Sequence, residues 1–167
     1  MRFATADDRG RWRTPRTVEL VSGAPVKVQS VVTAAEGRHA VLAWHLKDSG
    51  NAGGPLRIRV RTQGRWSRAE LVDRRADWFG ANGLAVTDAG AALVWSGGEF
   101  GKHFPLAVTR RWAGAWGTPR RLAPRGFTFH DARVAPWAVT WKPGVITAAF
   151  RGDGEFSYSD FRFRRAR

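Results

Sequence analysis

Ala40-Val41-Leu42-Ala43-Trp44, entered from a turn at Gly37, is followed 22 residues after its tryptophan by Gly64-Arg65-Trp66, and the same pair of features returns along the chain. Gly90 leads into Ala92-Leu93-Val94-Trp95, and Gly144 into Val145-Ile146-Thr147-Ala148-Ala149-Phe150. The second feature is Gly-x-Trp-x-x-(Pro/Ala)-x-x-(Val/Leu). It appears as Gly10-Arg11-Trp12 with Pro15 and Val18, as Gly64-Arg65-Trp66 with Ala69 and Val72, and as Gly114-Ala115-Trp116 with Pro119 and Leu122, at intervals of 54 and 50 residues. From Trp95 to Trp116 the distance is 21 residues, so the two features hold one phase. A fixed period of this size is the mark of a repeat architecture.

Each period reads as four strands. In the first complete one, Val26 to Val32 opens, Ala40 to Trp44 is a continuous apolar strand, and Leu56-Arg57-Ile58-Arg59-Val60-Arg61-Thr62 alternates apolar and polar residues as a half-exposed strand does. A short fourth strand is expected around Ala69 to Val72. Turn residues separate them at Glu36-Gly37, from Asp48-Ser49-Gly50-Asn51 through Gly53-Gly54, and at Gln63-Gly64. The next period offers Gly83 to Thr87, Ala92 to Trp95, Pro105 to Arg110 and a strand after Trp116. The last offers Ala132 to Thr140, Val145 to Phe150 and Phe156 to Phe163. No segment carries a sustained 3.6-residue apolar period, so helix is not expected.

The expected fold is all-β: about three four-stranded antiparallel blades of a partial or open β-propeller, whose blades typically run to 40 to 50 residues. Residues 1–20 would end an incomplete first blade. Residues 21–72 and 73–122 would be blades, and 123–167 a blade lacking its fourth strand. Trp12, Trp44, Trp66, Trp95 and Trp116 are expected between blades, where burying an indole removes roughly 150 to 250 Å² from water.

Composition limits the chemistry. The 167 residues are 43% hydrophobic and include nine Trp and ten Phe, enough apolar surface for a folded core. There is no cysteine, which excludes disulfides, thiolate metal sites and a cysteine nucleophile. His39, His45, His103 and His130 never fall at metal-ligand spacing, and neither a Gly-x-Ser-x-Gly elbow nor a phosphate loop is present. No cofactor or metal is assigned. The net charge of +14 brings weak, non-specific attraction to nucleic acid and other polyanions, but only four basic residues are lysine and the arginines are scattered, apart from Arg162-Phe163-Arg164-Arg165.

The Gly-x-Trp repeats and the apolar strands ending on an aromatic residue resemble the blades of actinobacterial β-propeller proteins of the sialidase-like, or BNR-type, superfamily. The resemblance covers nearly the whole chain and implies the fold. A sialidase of that kind has an Asp-box, Ser/Thr-x-Asp-x-Gly-x-x-Trp, an arginine triad, and a tyrosine nucleophile partnered by a carboxylate. Here Thr5-Ala6-Asp7-Asp8-Arg9-Gly10-Arg11-Trp12 sets its glycine one place late. Tyr158, the only tyrosine, and Glu155 fall on opposite faces of an alternating strand. The resemblance therefore implies a binding or assembly module, with a remnant of a glycoside hydrolase and an Arg-rich polyanion binder as alternatives.

In such propellers the ligand face is built by the connections from fourth to first strand and from second to third strand. The first kind contributes Asp73, Arg74, Arg75, Asp77, Trp78 and Phe79, and Phe129, His130 and Asp131. The second contributes His45 to Gly54, Ser96 to Phe104 with Glu99, Lys102 and His103, and Arg151 to Glu155. Aromatic and charged groups side by side suit a polar, ring-bearing ligand such as a glycan, or a protein surface. Three blades fall short of a ring, and a homodimer completing it is the expected partner. No stretch is apolar enough to span a membrane, and Met1 to Asp8 has no hydrophobic signal core. A chain starting at Met1 is expected in the cytoplasm, whereas a fragment of a longer precursor is expected to be secreted.

Overall fold

The computed structural model describes residues 2–4, 9–17, 27–47, 54–78, 83–99, 102–122, 135–142, 145–151 and 156–162. In chain order the strands are β1 (Arg2–Phe3), β2 (Arg16–Thr17), β3 (Lys27–Glu36), β4 (His39–Lys47), β5 (Gly54–Thr62), β6 (Arg65–Trp66) and β7 (Glu70–Trp78). They continue with β8 (Leu84–Thr87), β9 (Gly90–Glu99), β10 (Lys102–Arg111), β11 (Arg120–Arg121), β12 (Ala135–Lys142), β13 (Val145–Arg151) and β14 (Phe156–Arg162). Every pairing is antiparallel, and the described residues contain no helix.

Three sheets result. β1 pairs with β2. A nine-stranded sheet runs β11-β10-β9-β7-β5-β4-β3, with β6 beside β5 and β8 beside β9, and the third sheet is β12-β13-β14. The large sheet consists of two meanders, β3-β4-β5-β7 and β8-β9-β10-β11, joined by one strand. β7 pairs with β5 through Glu70, Leu71, Asp73 and Ala76, and toward its end also with β9, with Ala76 opposite Gly97 and Trp78 opposite Ser96.

The sequence period is a register period. Glu36 pairs with His39, Thr87 with Gly90 and Lys142 with Val145, and five residues beyond each second member stand Trp44, Trp95 and Phe150. Across the first meander Ala40 faces Arg61, which faces Trp66; across the second, Ala91 faces Arg110, which faces Trp116. Each second-strand tryptophan is fully buried. Trp66 packs on the cluster of Trp44, Leu42 and Leu46, and Trp116 on the cluster that contains Trp95.

Alternation sets which side of each sheet meets which neighbour. Val41, Ala43, Ile58 and Val60 of the first meander form one cluster with Ala91, Leu93, Trp95 and Val108 of the second. From the opposite face of the second, Ala92, Val94 and Ala107 cluster with Ile146 and Ala148 of the third sheet. β3 lies against β8, and β12 against β8 and β9. Burying each large aliphatic side chain in these seams is worth about 1.5 to 3 kcal/mol. On β5 the alternate residues Arg57, Arg59 and Arg61 lie on the other face, half-buried, and the Arg59 Nε donates to the Ser67 carbonyl at 2.7 Å.

Several strands outrun their expected bounds. β7, expected to stop near Val72, continues through the charged run to Trp78, and β10 begins at Lys102 rather than Pro105. A backbone that finds a ladder partner stays extended whatever the polarity of its side chains. Trp12 corrects an expectation: it is 75% exposed, not sandwiched between sheets. Among the described residues, the two-stranded sheet β1–β2 that flanks it has no equivalent of β4 or β9 for the indole to lie on.

Candidate functional site

The β7 to β9 crossing gathers one group of the sequence-selected residues at one end of the nine-stranded sheet. Asp73, Arg74, Arg75, Asp77 and Trp78 all lie on β7, within a strand rather than a connecting loop. Glu99 ends β9 opposite Lys102, and His103 on β10 stands opposite Gly98, so the β9–β10 connection is only two residues long. Ala76 pairs with Gly97 and Trp78 with Ser96, so β7 runs back along β9 from the side of the β9–β10 tip, and its end at Trp78 leads away from that tip. Phe79, Phe129, His130 and Asp131 lie outside the described residues.

Asp73 has a specific job. Its Oδ2 accepts a 2.7 Å hydrogen bond from the Trp95 indole Nε1, and its Oδ1 accepts the Arg75 backbone N–H at 2.9 Å. The acid of one meander thus satisfies the buried indole of the next, which an apolar surrounding otherwise penalises. Gly97 makes room for this: a Cβ there would lie 2.8 Å from both Asp73 Oδ2 and Leu106 Cδ1. Arg74 and Arg75 are exposed. Asp73 is therefore a positioning group at the seam, with the two guanidiniums beside it available to solvent or a ligand.

Two further contacts cross the same seam. Arg110 Nη1 and Glu70 Oε1 are 3.3 Å apart. His39 stacks on Trp112 with ring centroids 4.3 Å apart and planes 3° from parallel, while the Trp112 Nε1 donates to the Thr87 carbonyl at 2.9 Å. His39 is thus a packing histidine. His45 and Ser96, expected to open two ligand-face connections, instead lie within β4 and β9 at equivalent places six residues past His39 and Gly90, and both are fully buried. The repeat register was the signal that could have placed them inside the strands.

At the opposite end of the first meander, the β3–β4 and β5–β6 turns flank an open cleft of about 590 Å³ lined by Gly37, Arg38, Arg61, Gln63 and Gly64. Gly37, Gln63 and Gly64 adopt φ of 53°, 49° and 80°, the left-handed conformation such turns need. Among the described residues, no three His, Cys, Asp or Glu side chains converge as a metal ion requires, and no helix is long and apolar enough to cross a membrane. Comparison of the chain with protein-family models, with curated proteins and with solved structures returns no match.

Proposed function

We propose that this chain is a partial β-propeller acting as a non-catalytic binding or assembly module, which contacts a glycan or another protein where β7 runs beside the β9–β10 hairpin. The observation that carries this reading is the backbone pairing that brings the strand bearing Arg74, Arg75, Asp77 and Trp78 alongside the β9–β10 hairpin, which bears Glu99 and His103. A flat aromatic residue beside charged donors and acceptors is the combination that binds sugar rings or a polar protein surface. In favour of propeller geometry, the meanders share one register and stack in chain order with their first strands adjacent. Three such units fall short of the four to eight that close a ring, and the proposed partner for the rest is a second copy of the chain.

A glycan array, read with wild type and Trp78→Ala, tests the binding reading. Retention of a defined glycan class by wild type, weakened about tenfold or more in Trp78→Ala with an unchanged melting curve, is the expected result; about 1.4 kcal/mol corresponds to tenfold. If no glycan is retained, the reading passes to a protein ligand, sought by pull-down with the same pair. Absence of any Trp78-dependent ligand overturns it. Turnover of fluorogenic sialosides would instead point to a glycoside hydrolase.

A second reading, as an Arg-rich polyanion binder, has its own observation in the Arg38 and Arg61 cleft. It requires binding to single-stranded DNA that falls steeply with salt and that Arg38→Ala/Arg61→Ala weakens.

A further inference from the structure

The two meanders treat one position of the repeat differently. Arg61 faces Ala40 and Arg110 faces Ala91, so the two arginines are counterparts. Arg110 is answered from the neighbouring meander: its Nη1 lies 3.3 Å from the Oε1 of Glu70, a carboxylate that β7 carries across the seam. Two residues past Arg110, Trp112 stacks on His39. The first meander has neither arrangement. Gln63 stands where the second has Trp112, and Arg38 where it has Ala89. Glu70 follows Trp66 by four residues, and four residues past Trp12 the sequence has Arg16, a base and not an acid. What the first meander has is the open cleft lined by Arg38 and Arg61, and among the described residues no acid pairs with either guanidinium. Two acids flank the turn without serving. Glu36 faces His39, hence the opposite side of the sheet from Arg61, which faces Ala40. Asp88 lies beside Gly37, where a Cβ would come 3.8 Å from its Oδ1, and forms no ion pair among the described residues.

We infer that this cleft receives one carboxylate side chain, presented to Arg38 and Arg61 on an extended segment of a partner protein. The repeat itself supplies the template: an acid on a strand, Glu70 on β7, answers the arginine at this position of the second meander. A guanidinium fork binds a carboxylate through charge-assisted hydrogen bonds, and at half-buried Arg61 that attraction is screened less than at an exposed side chain. Gly37 and Gly64 keep the mouth clear of side chains; at Gly64 even an added Cβ would meet nothing within 4 Å. Size favours a side chain over a polymer. A phosphate backbone needs a strip of cations along its path, whereas here there are two arginines and, on the neighbouring turns, exposed Glu36 and Asp88, which oppose a run of negative charges longer than the cleft. The inference rests on reading the cleft as an anion site, and it assigns that anion to an acidic peptide instead of nucleic acid.

The probe is a capped tetrapeptide copying Ala69-Glu70-Leu71-Val72, titrated into the isotope-labelled chain and followed by NMR at about 0.15 M salt, where long-range attraction is damped. The Gly37 and Gly64 amides, on the two turns that flank the cleft, report on binding there. Expected are saturable shifts of both amides, an affinity about tenfold weaker or worse for the same peptide with Gln in place of Glu, and a similar loss in Arg61→Ala. Arg68→Ala removes the same charge from an exposed position outside the cleft and should bind as wild type does. Arg61 is half-buried, so melting curves are compared, and Arg38→Ala, at an exposed position, carries the test if Arg61→Ala does not fold. Equal shifts by the Glu and Gln peptides overturn the inference. So does acetate that binds as tightly as the Glu peptide, which would leave an adventitious ion only. If a single-stranded oligonucleotide shifts these amides and the Glu peptide does not, the carboxylate is overturned while the cleft stays an anion site; if neither shifts them, both readings fall. Trp78-dependent ligand retention is scored separately and bears on the β7 face alone.

Discussion

At Trp95 the indole N–H is buried in a seam otherwise made of Val, Leu, Ile and Ala, and the Asp73 carboxylate is what makes that position tolerable. The sequence carries a matching pattern. Asp73 lies two residues past Leu71, whose counterparts are Thr17 and Arg121; two residues past these the sequence has Glu19 and Ala123. An acid precedes the units whose anchors are Trp44 and Trp95, and alanine precedes the unit whose anchor, Phe150, has no N–H to satisfy. Asp73→Ala and Trp95→Phe should each destabilise the fold by about 1 to 3 kcal/mol, the first because it strands a buried donor and the second because it strands the acid. Urea unfolding of both single variants and the double should show a double-variant loss about 1 to 2 kcal/mol smaller than the sum. From the sequence Asp73 reads as part of a charged ligand loop. Its partner sits 22 residues away, and a carboxylate looks the same in sequence whether it faces water or an indole.

Among the elements, β4 and β9 were legible because unbroken apolar runs between turn residues leave little alternative to a strand buried on both faces. So was β5, whose alternating arginines mark its half-buried side. The course of β7 was not. Asp73-Arg74-Arg75-Ala76-Asp77-Trp78 has the composition of a loop, yet its backbone finds β5 and then β9, a choice made by tertiary geometry rather than by local preference. The same geometry explains why the site residues lie on strands, and why only some of them can be placed together. Gly54 is where it is tightest: Gly54 faces Ala76, and a Cβ added there would run into the Leu46 carbonyl, which is main chain and cannot step aside. Gly54→Ala should lower stability by about 3 kcal/mol, at the upper end of overpacking costs. Gly64→Ala, with φ of 80° but open space around it, should lose only about 1 kcal/mol. Thermal melts of the two variants separate steric from conformational demand.

For the molecule as a whole, the repeat phase foretold stacked antiparallel meanders, while the exposure of Trp12 was beyond it, since a motif does not reveal what its indole lies against. The stacking order predicts a gradient of stability. Residues 41–44 and 91–95 are buried from both sides, whereas β14 has one open edge among the described residues. In native-state hydrogen exchange, amides of β4 and β9 should be the last to exchange, and β12 to β14 should open at a free energy at least about 2 kcal/mol lower. Equal protection throughout would contradict that order. The handover of β7 from one meander to the other has a mechanical corollary. A pull along the strand axis that separates the two meanders loads β7 along both of its ladders, so its backbone bonds are sheared together instead of peeling one at a time. The seam should therefore rupture at higher force than a joint held by side chains alone.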